Sequence, residues 1–173
     1  MALPLALQHY QLSREAIELE GLNVLKRHAT LADGSRENRQ IELLLSEDYP
    51  GSRDAPQLRH LAGVTAMRLA LGAATADWHN DAARKMARQV PDGLWKRPGD
   101  TGQETWAIEY DAGSYWGSVI QEKGWAFHDR YDGQIWGCWN ATRVKRLQEE
   151  LERAGVPARV IKVHWWGHSH TEQ

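Results

Sequence analysis

Cysteine is nearly missing from this chain: among 173 residues Cys138 stands alone, so no intrachain disulfide can form. Charge bias is missing as well, since 21 Lys and Arg against 23 Asp and Glu leave a formal net charge of -2. Whole-chain attraction to phosphate is therefore absent, and a nucleic-acid-binding protein of this balance has to gather its basic residues on one face. No run approaches the roughly 18 consecutive apolar residues of a membrane span. The Met1 to Leu7 segment lacks the basic and apolar regions of a secretory signal. These absences predict a cytoplasmic protein with no membrane partner. A glycine-rich phosphate loop, internal repeats, low-complexity tracts and a supportable Ser-His-Asp arrangement are missing too. What is present is the balance of a soluble globular chain, 42% hydrophobic and 25% charged, with length for one core and a small N-terminal appendage. Eight of the nine tryptophans follow residue 90, which predicts an aromatic core, with stacking on unpaired bases as the alternative. Cys138, inside the apolar run Ile135 to Trp139, reads as a buried small hydrophobe rather than a nucleophile.

Local patterns predict an α/β (α+β) fold with a mixed central sheet flanked by helices. Ser13 to Lys26 reads as a helix capped by Ser13, followed by strands around Val24 to Thr30 and Arg39 to Leu45 across the turn-rich Ala32 to Ser35. This is either the end of a winged helix or a plain helix-hairpin extension, and two earlier helices of a winged unit have no room. Tyr49-Pro50-Gly51-Ser52 breaks regular structure, so residues 1–50 form the extension and residues 51–173 the main domain. Gln57 to Ala76 is helical and apolar on two opposite sides, which predicts a largely buried helix. A short strand is expected near Arg84 to Val90, then a hairpin turning at Pro98 to Gly102. Helices over Ser114 to Arg130 and Ala141 to Ala154, a strand through Trp139 and a last strand from Ala158 to Trp165 complete the pattern.

The chemistry concentrates in three carboxylates. Period-two alternation from Thr105 to Asp111 puts Ala107, Glu109 and Asp111 on one strand face, and antiparallel pairing across the hairpin brings Asp92 toward them. Mg²⁺ takes hard oxygen ligands, commonly one or two carboxylates with water and phosphate, and a bound cation relieves the repulsion of close acids. The competing reading has Asp92 in an Asx turn with Gly93, and Asp111 through Ser114 capping the next helix. Lys123 falls on the inward face of that helix among Trp116, Val119, Ile120 and Phe127. Burying a lone ammonium is costly, so Lys123 either snorkels or meets the carboxylates, where it orients water or stabilises a phosphoryl transition state.

Three segments carry a resemblance: Pro91-Asp92-Gly93, then Trp106 through Gly113 (Trp-Ala-Ile-Glu-Tyr-Asp-Ala-Gly), then helical Lys123. Together with Arg59-His60-Leu61-Ala62-Gly63-Val64 they resemble the replication-relaxation proteins of bacterial plasmids and mobile elements, over about residues 58 to 150. That family in turn resembles the PD-(D/E)XK nuclease superfamily. The resemblance implies a restriction-endonuclease-like core, Mg²⁺ or Mn²⁺, DNA as partner and phosphodiester hydrolysis as the ancestral chemistry. Asp92, Glu109 and Lys123 become the candidate catalytic residues, and Asp92, Glu109 and Asp111 the candidate metal ligands. The chain departs from the pattern at Asp111, where the family's lysine is expected, and in its truncated winged helix. Lys123 is then a migrated substitute, or the chain is a catalytically inactive DNA-binding or protein-interaction module; a homodimer is compatible with either.

A basic surface for DNA is expected from Arg84, Lys85, Arg88, Lys96 and Arg97, which bracket Asp92, with a merely solvated face as the alternative. Two weaker clusters are His164, His168 and His170, read as a polar tail before a metal site, and Asp77, His79, Asn80 and Asp81, read as a helix exit loop.

Overall fold

The computed structural model describes residues 1–20, 22–30, 38–45, 55–80 and 89–166. Two short helices open the chain, α1 (Leu3–Tyr10) and α2 (Arg14–Leu19), followed by the antiparallel hairpin β1 (Asn23–Thr30) and β2 (Asn38–Leu45). Helix α3 (Ala55–Ala70) leads through a 3-10 turn (Thr75–Asp77) into β3 (Trp78–Asn80), β4 (Gly93–Gly99) and β5 (Gly102–Tyr110). Then α4 (Gly117–His128), β6 (Gly133–Cys138), α5 (Ala141–Arg153) and β7 (Arg159–Lys162) follow. The sheet order is β3-β4-β5-β6-β7, antiparallel from β3 to β5 and parallel from β5 to β7. The protein is thus α/β: a five-stranded mixed sheet packed with helices, plus an N-terminal helical segment and a two-stranded hairpin. No helix among the described residues is long and apolar enough to cross a membrane.

Strand alternation divides the core. Ile108, Tyr110 and Ile135 pack with Leu58, Ala62 and Met67 of α3, and Ala2, Ile41 and Leu43 join the same cluster. Helix α3 is apolar on two sides because it touches both β5 and β6 of the sheet and β1 of the hairpin. On the opposite sheet face Ala107, Trp136 and Cys138 pack with Ile120 and Phe127 of α4 and Leu147 and Leu151 of α5. Trp136 and Trp165 are fully buried, whereas Trp116 and Trp125 are exposed, so the aromatic core takes most but not all of the tryptophans. Cys138 is buried as expected, and burial pushes its thiol up to about 12.

Several boundaries differ from the sequence expectation. Helix α1 was not anticipated; its early proline is harmless in a first turn, where the missing N–H has no partner to lose. The backbone of Met1 and Leu44 is joined by the Leu44 N–H donating to the Met1 carbonyl at 2.8 Å, which ties α1 to the hairpin edge. Two helices therefore precede the hairpin where one was expected, and the expected Ser13 to Lys26 helix is cut to the six residues of α2 because β1 already starts at Asn23. Helix α3 ends at Ala70, six positions before the expected Ala76, with Gly72 in the left-handed region at φ 65°. Strand β3 has no sequence signature of its own at three residues. Helix α4 begins three positions after Ser114, because the preceding loop turns at Gly113 and is pinned by side-chain bonds from Asp111 and Arg143. Asn140 caps α5 as acceptor from the Thr142 and Arg143 amides, and Gly155 ends it at φ 69°. The expected turns at Ala32 to Ser35 and Tyr49 to Ser52, and most of the Arg84 to Val90 strand, lie outside the described residues; Gln89 and Val90 are not in a strand.

One close approach fixes how α3 sits on the sheet. A Cβ on Gly63 would lie 2.5 Å from three ring carbons of the fully buried Tyr110. Gly63→Val is accordingly expected to destabilise the fold by about 1–3 kcal/mol through overpacking. Urea unfolding checks this, and a wild-type midpoint would show that the ring has room to move.

Candidate functional site

The β4–β5 ladder builds the site. Gly93 pairs with Ile108, so Asp92 stands one rung further, level with Glu109. One Asp92 oxygen, Oδ2, accepts from the Tyr110 amide at 2.9 Å and lies 3.3 Å from His60 Nδ1 of α3. That imidazole approach does not close a hydrogen bond, so it acts as an electrostatic contact. Burial raises the carboxyl of Asp92, but His60, the Tyr110 amide and the Lys123 charge together outweigh it and hold Asp92 below the ordinary carboxylate range.

Glu109 is fully enclosed. Its Oε1 accepts from the Tyr115 hydroxyl at 2.6 Å and from the Lys123 ammonium, which also lies 3.2 Å from the Tyr115 oxygen. Lys123 thus meets a carboxylate instead of snorkelling, and its ammonium sits 4.7 Å from the Tyr115 ring centre. Glu109 Oε2 is buried with no partner. Burial first, then the charge of Asp92, pushes the Glu109 carboxyl from 4.5 up to about 7 against the opposing pull of Lys123 and Tyr115. Burial also pushes the Tyr115 phenol up, so it remains a donor to Glu109.

A raised folded pKa means that Glu109 takes up a proton on folding. Its contribution is fully present below about pH 4.5 and falls until the pH passes about 7, a loss of about 3 kcal/mol by linkage. Asp92, shifted the other way, acts only below its ordinary 3.8 and does not overlap this window. Thermal unfolding between pH 5 and 8 should therefore show wild-type stability declining. Glu109→Gln, which mimics the neutral acid, should flatten that slope, and parallel slopes would contradict the assignment.

Asp111 does not join the pair. One of its oxygens accepts from the Gly113 amide at 2.7 Å and the other from Arg143 Nε of α5. Arg143 Nη2 also donates to the Tyr115 carbonyl at 2.6 Å. The first bond turns the chain at Gly113, whose φ is 106°, and the Arg143 bonds pin Tyr115 beyond it, so α4 starts only after this non-helical segment. Asp111 therefore neither caps that helix nor offers a free oxygen beside Glu109, and no group of three metal-ligating side chains forms among the described residues. Trp116, expected on the inward face beside Lys123, is 74% exposed because it precedes the first turn of the helix.

No family model, curated protein or solved structure matches this chain. Arg84, Lys85, Arg88, Asp81, His168 and His170 lie outside the described residues. Lys96 and Arg97 are adjacent on β4 and so face opposite sides of the sheet, which breaks the single basic surface expected of them. Arg97 lies over the Trp95 and Trp106 rings at 5.3 and 5.0 Å and 3.7 Å from Glu104, on the α3 side. Lys96 pairs with Thr105 on the side of Glu109. Asn80 is spent on the Trp78 indole at 2.8 Å, and His164 lies against the Trp166 ring.

Sequence reasoning gave no role to His60, Tyr115 or Arg143. Arg143 was findable: four residues before Leu147, it is a cation on the inward side of α5, the same signal that singled out Lys123. Tyr115 sits in an irregular loop with no periodicity to flag it, and His60 comes from a helix more than thirty residues before Asp92.

Proposed function

We propose that this chain is a divalent-metal-dependent nuclease-like protein acting on DNA, with the sheet, α3 and α4 as a restriction-endonuclease-like core. One observation carries the reading: the enclosed Glu109 keeps Oε2 without a partner, level with Asp92 across the β4–β5 ladder. An unsatisfied buried carboxylate oxygen is costly, and a hard cation is a partner that satisfies it. Asp92 and Glu109 supply the two carboxylates that Mg²⁺ or Mn²⁺ commonly takes, so the residues fit the ion without Asp111. When bound, such an ion supplies an activated water and neutralises phosphate charge.

The chain's own residues do the rest. The Tyr110 amide and the His60 ring fix Asp92 through one oxygen. Tyr115 and Lys123 fix Glu109 through one oxygen, and the Lys123 ammonium is a preset positive charge for a phosphate or for an attacking water. Lys96 is the phosphate-contacting candidate on this face of the sheet.

Linear, nicked, supercoiled and single-stranded DNA incubated with the protein in Mg²⁺ and in Mn²⁺ tests the reading. Cleavage dependent on the metal supports it, and no cleavage of any substrate sinks the enzyme. A second reading, a non-catalytic DNA-binding or protein-interaction module of a plasmid or other mobile element, is favoured by one feature: Lys123 already neutralises Glu109 while Asp111 is spent on Arg143. Metal titration followed by tryptophan fluorescence separates the two, since saturable binding lost in Glu109→Gln belongs only to the first.

A further inference from the structure

We infer that the cavity beside Asp111 is a phosphate-binding site, distinct from the Asp92–Glu109 pair. It encloses about 260 Å³ between the C-terminal end of β6, with Trp139 and Asn140, and the start of α5, with Thr142, Arg143 and Arg146. Strands β5 and β6 run parallel, and ligands of open α/β sheets gather outside the carboxyl ends of such strands.

The donors at this cavity are prearranged. Asp111 and the Tyr115 carbonyl grip Arg143 through Nε and Nη2, which leaves Nη1 without a partner among the described residues. A guanidinium held in this way loses little freedom when it binds. Arg146 lies one turn further on the same helix, lines the same cavity, and makes no hydrogen bond or ion pair among the described residues. The negative charge of Asp111 is spent on Arg143, so the second arginine leaves the cavity net positive. Two guanidiniums lining one space, with Thr142 and Trp139 beside them, suit the oxygens of a phosphate group. The group comes either free or on a nucleotide end. The site needs neither Asp92 nor a metal, so it stands or falls apart from the nuclease reading.

Calorimetric titration of the full chain with inorganic phosphate, at low ionic strength and without divalent cations, tests the site. Saturable binding is expected, weakened about tenfold or more in Arg146→Ala, as losing a charge-assisted hydrogen bond requires. Arg153→Ala, which takes a charge from the far end of the same helix, should leave it unchanged. Tighter binding of a 5′-phosphorylated dinucleotide than of phosphate or of the 5′-hydroxyl dinucleotide assigns a strand end as the source. Equal binding of phosphate and the phosphorylated dinucleotide assigns free phosphate. No saturable phosphate binding, or wild-type binding in Arg146→Ala, overturns the inference, whereas phosphate binding without DNA cleavage sinks only the nuclease reading.

Discussion

Glu109→Gln is expected to lower metal-dependent DNA cleavage at least about a hundredfold without unfolding the protein. The amide keeps the volume and an oxygen for the Tyr115 hydroxyl, but it removes the charge that a hard cation needs. Metal-ion charge stabilisation is worth several kcal/mol, and each 1.36 kcal/mol is tenfold in rate, so the loss spans orders of magnitude. The fold is spared because burial already favours the neutral acid up to about pH 7, which the amide imitates. Cleavage should therefore fall by orders of magnitude while the variant still folds, with any stability cost coming from Lys123 losing its carboxylate partner. Asp92→Asn should lose cleavage similarly, since it removes the second carboxylate, level with Glu109 across the ladder. Initial rates on supercoiled and linear DNA in Mg²⁺ and Mn²⁺ measure both variants. Wild-type rates in either would end the metal-site reading.

Arg143→Met is expected to carry the largest stability cost, about 3–5 kcal/mol, because it strands a buried charge. Asp111 is 0% exposed, and the variant leaves it only the Gly113 amide. The Tyr115 carbonyl loses its donor in the same step, which loosens the loop that carries the Tyr115 hydroxyl to Glu109. Adding Asp111→Asn to the same chain should recover part of the loss, since the two residues interact directly and their effects are non-additive. Urea midpoints of the two single variants and the double complete the cycle. Additive losses would mean that Asp111 and Arg143 do not support one another.

The local patterns were sufficient for the elements that have them. Period-two alternation put Glu109 on the opposite face from Ile108 and Tyr110, and the Pro98 to Gly102 turn set the hairpin that brings Asp92 level with it. A lysine among apolar neighbours on α4 marked a side chain that reaches Glu109. The opposed directions of Lys96 and Arg97 were legible in the same alternation, although nearness in sequence suggested one shared surface. The three-residue β3 and helix α1 were not legible, being too short or too apolar to show a period.

Tertiary structure alone decided what each carboxylate does. Asp111 follows the last residue of β5, and Arg143, 32 positions away on another helix, takes it out of the cluster. Asp92 is held by the Tyr110 amide across the ladder and faced by His60 from α3, while Tyr115 closes over Glu109 from an irregular loop. Sequence determines which face of an element a residue occupies, because backbone geometry imposes a fixed repeat on neighbours. The partner across the gap depends on how elements far apart in the chain pack, and no local repeat encodes that contact.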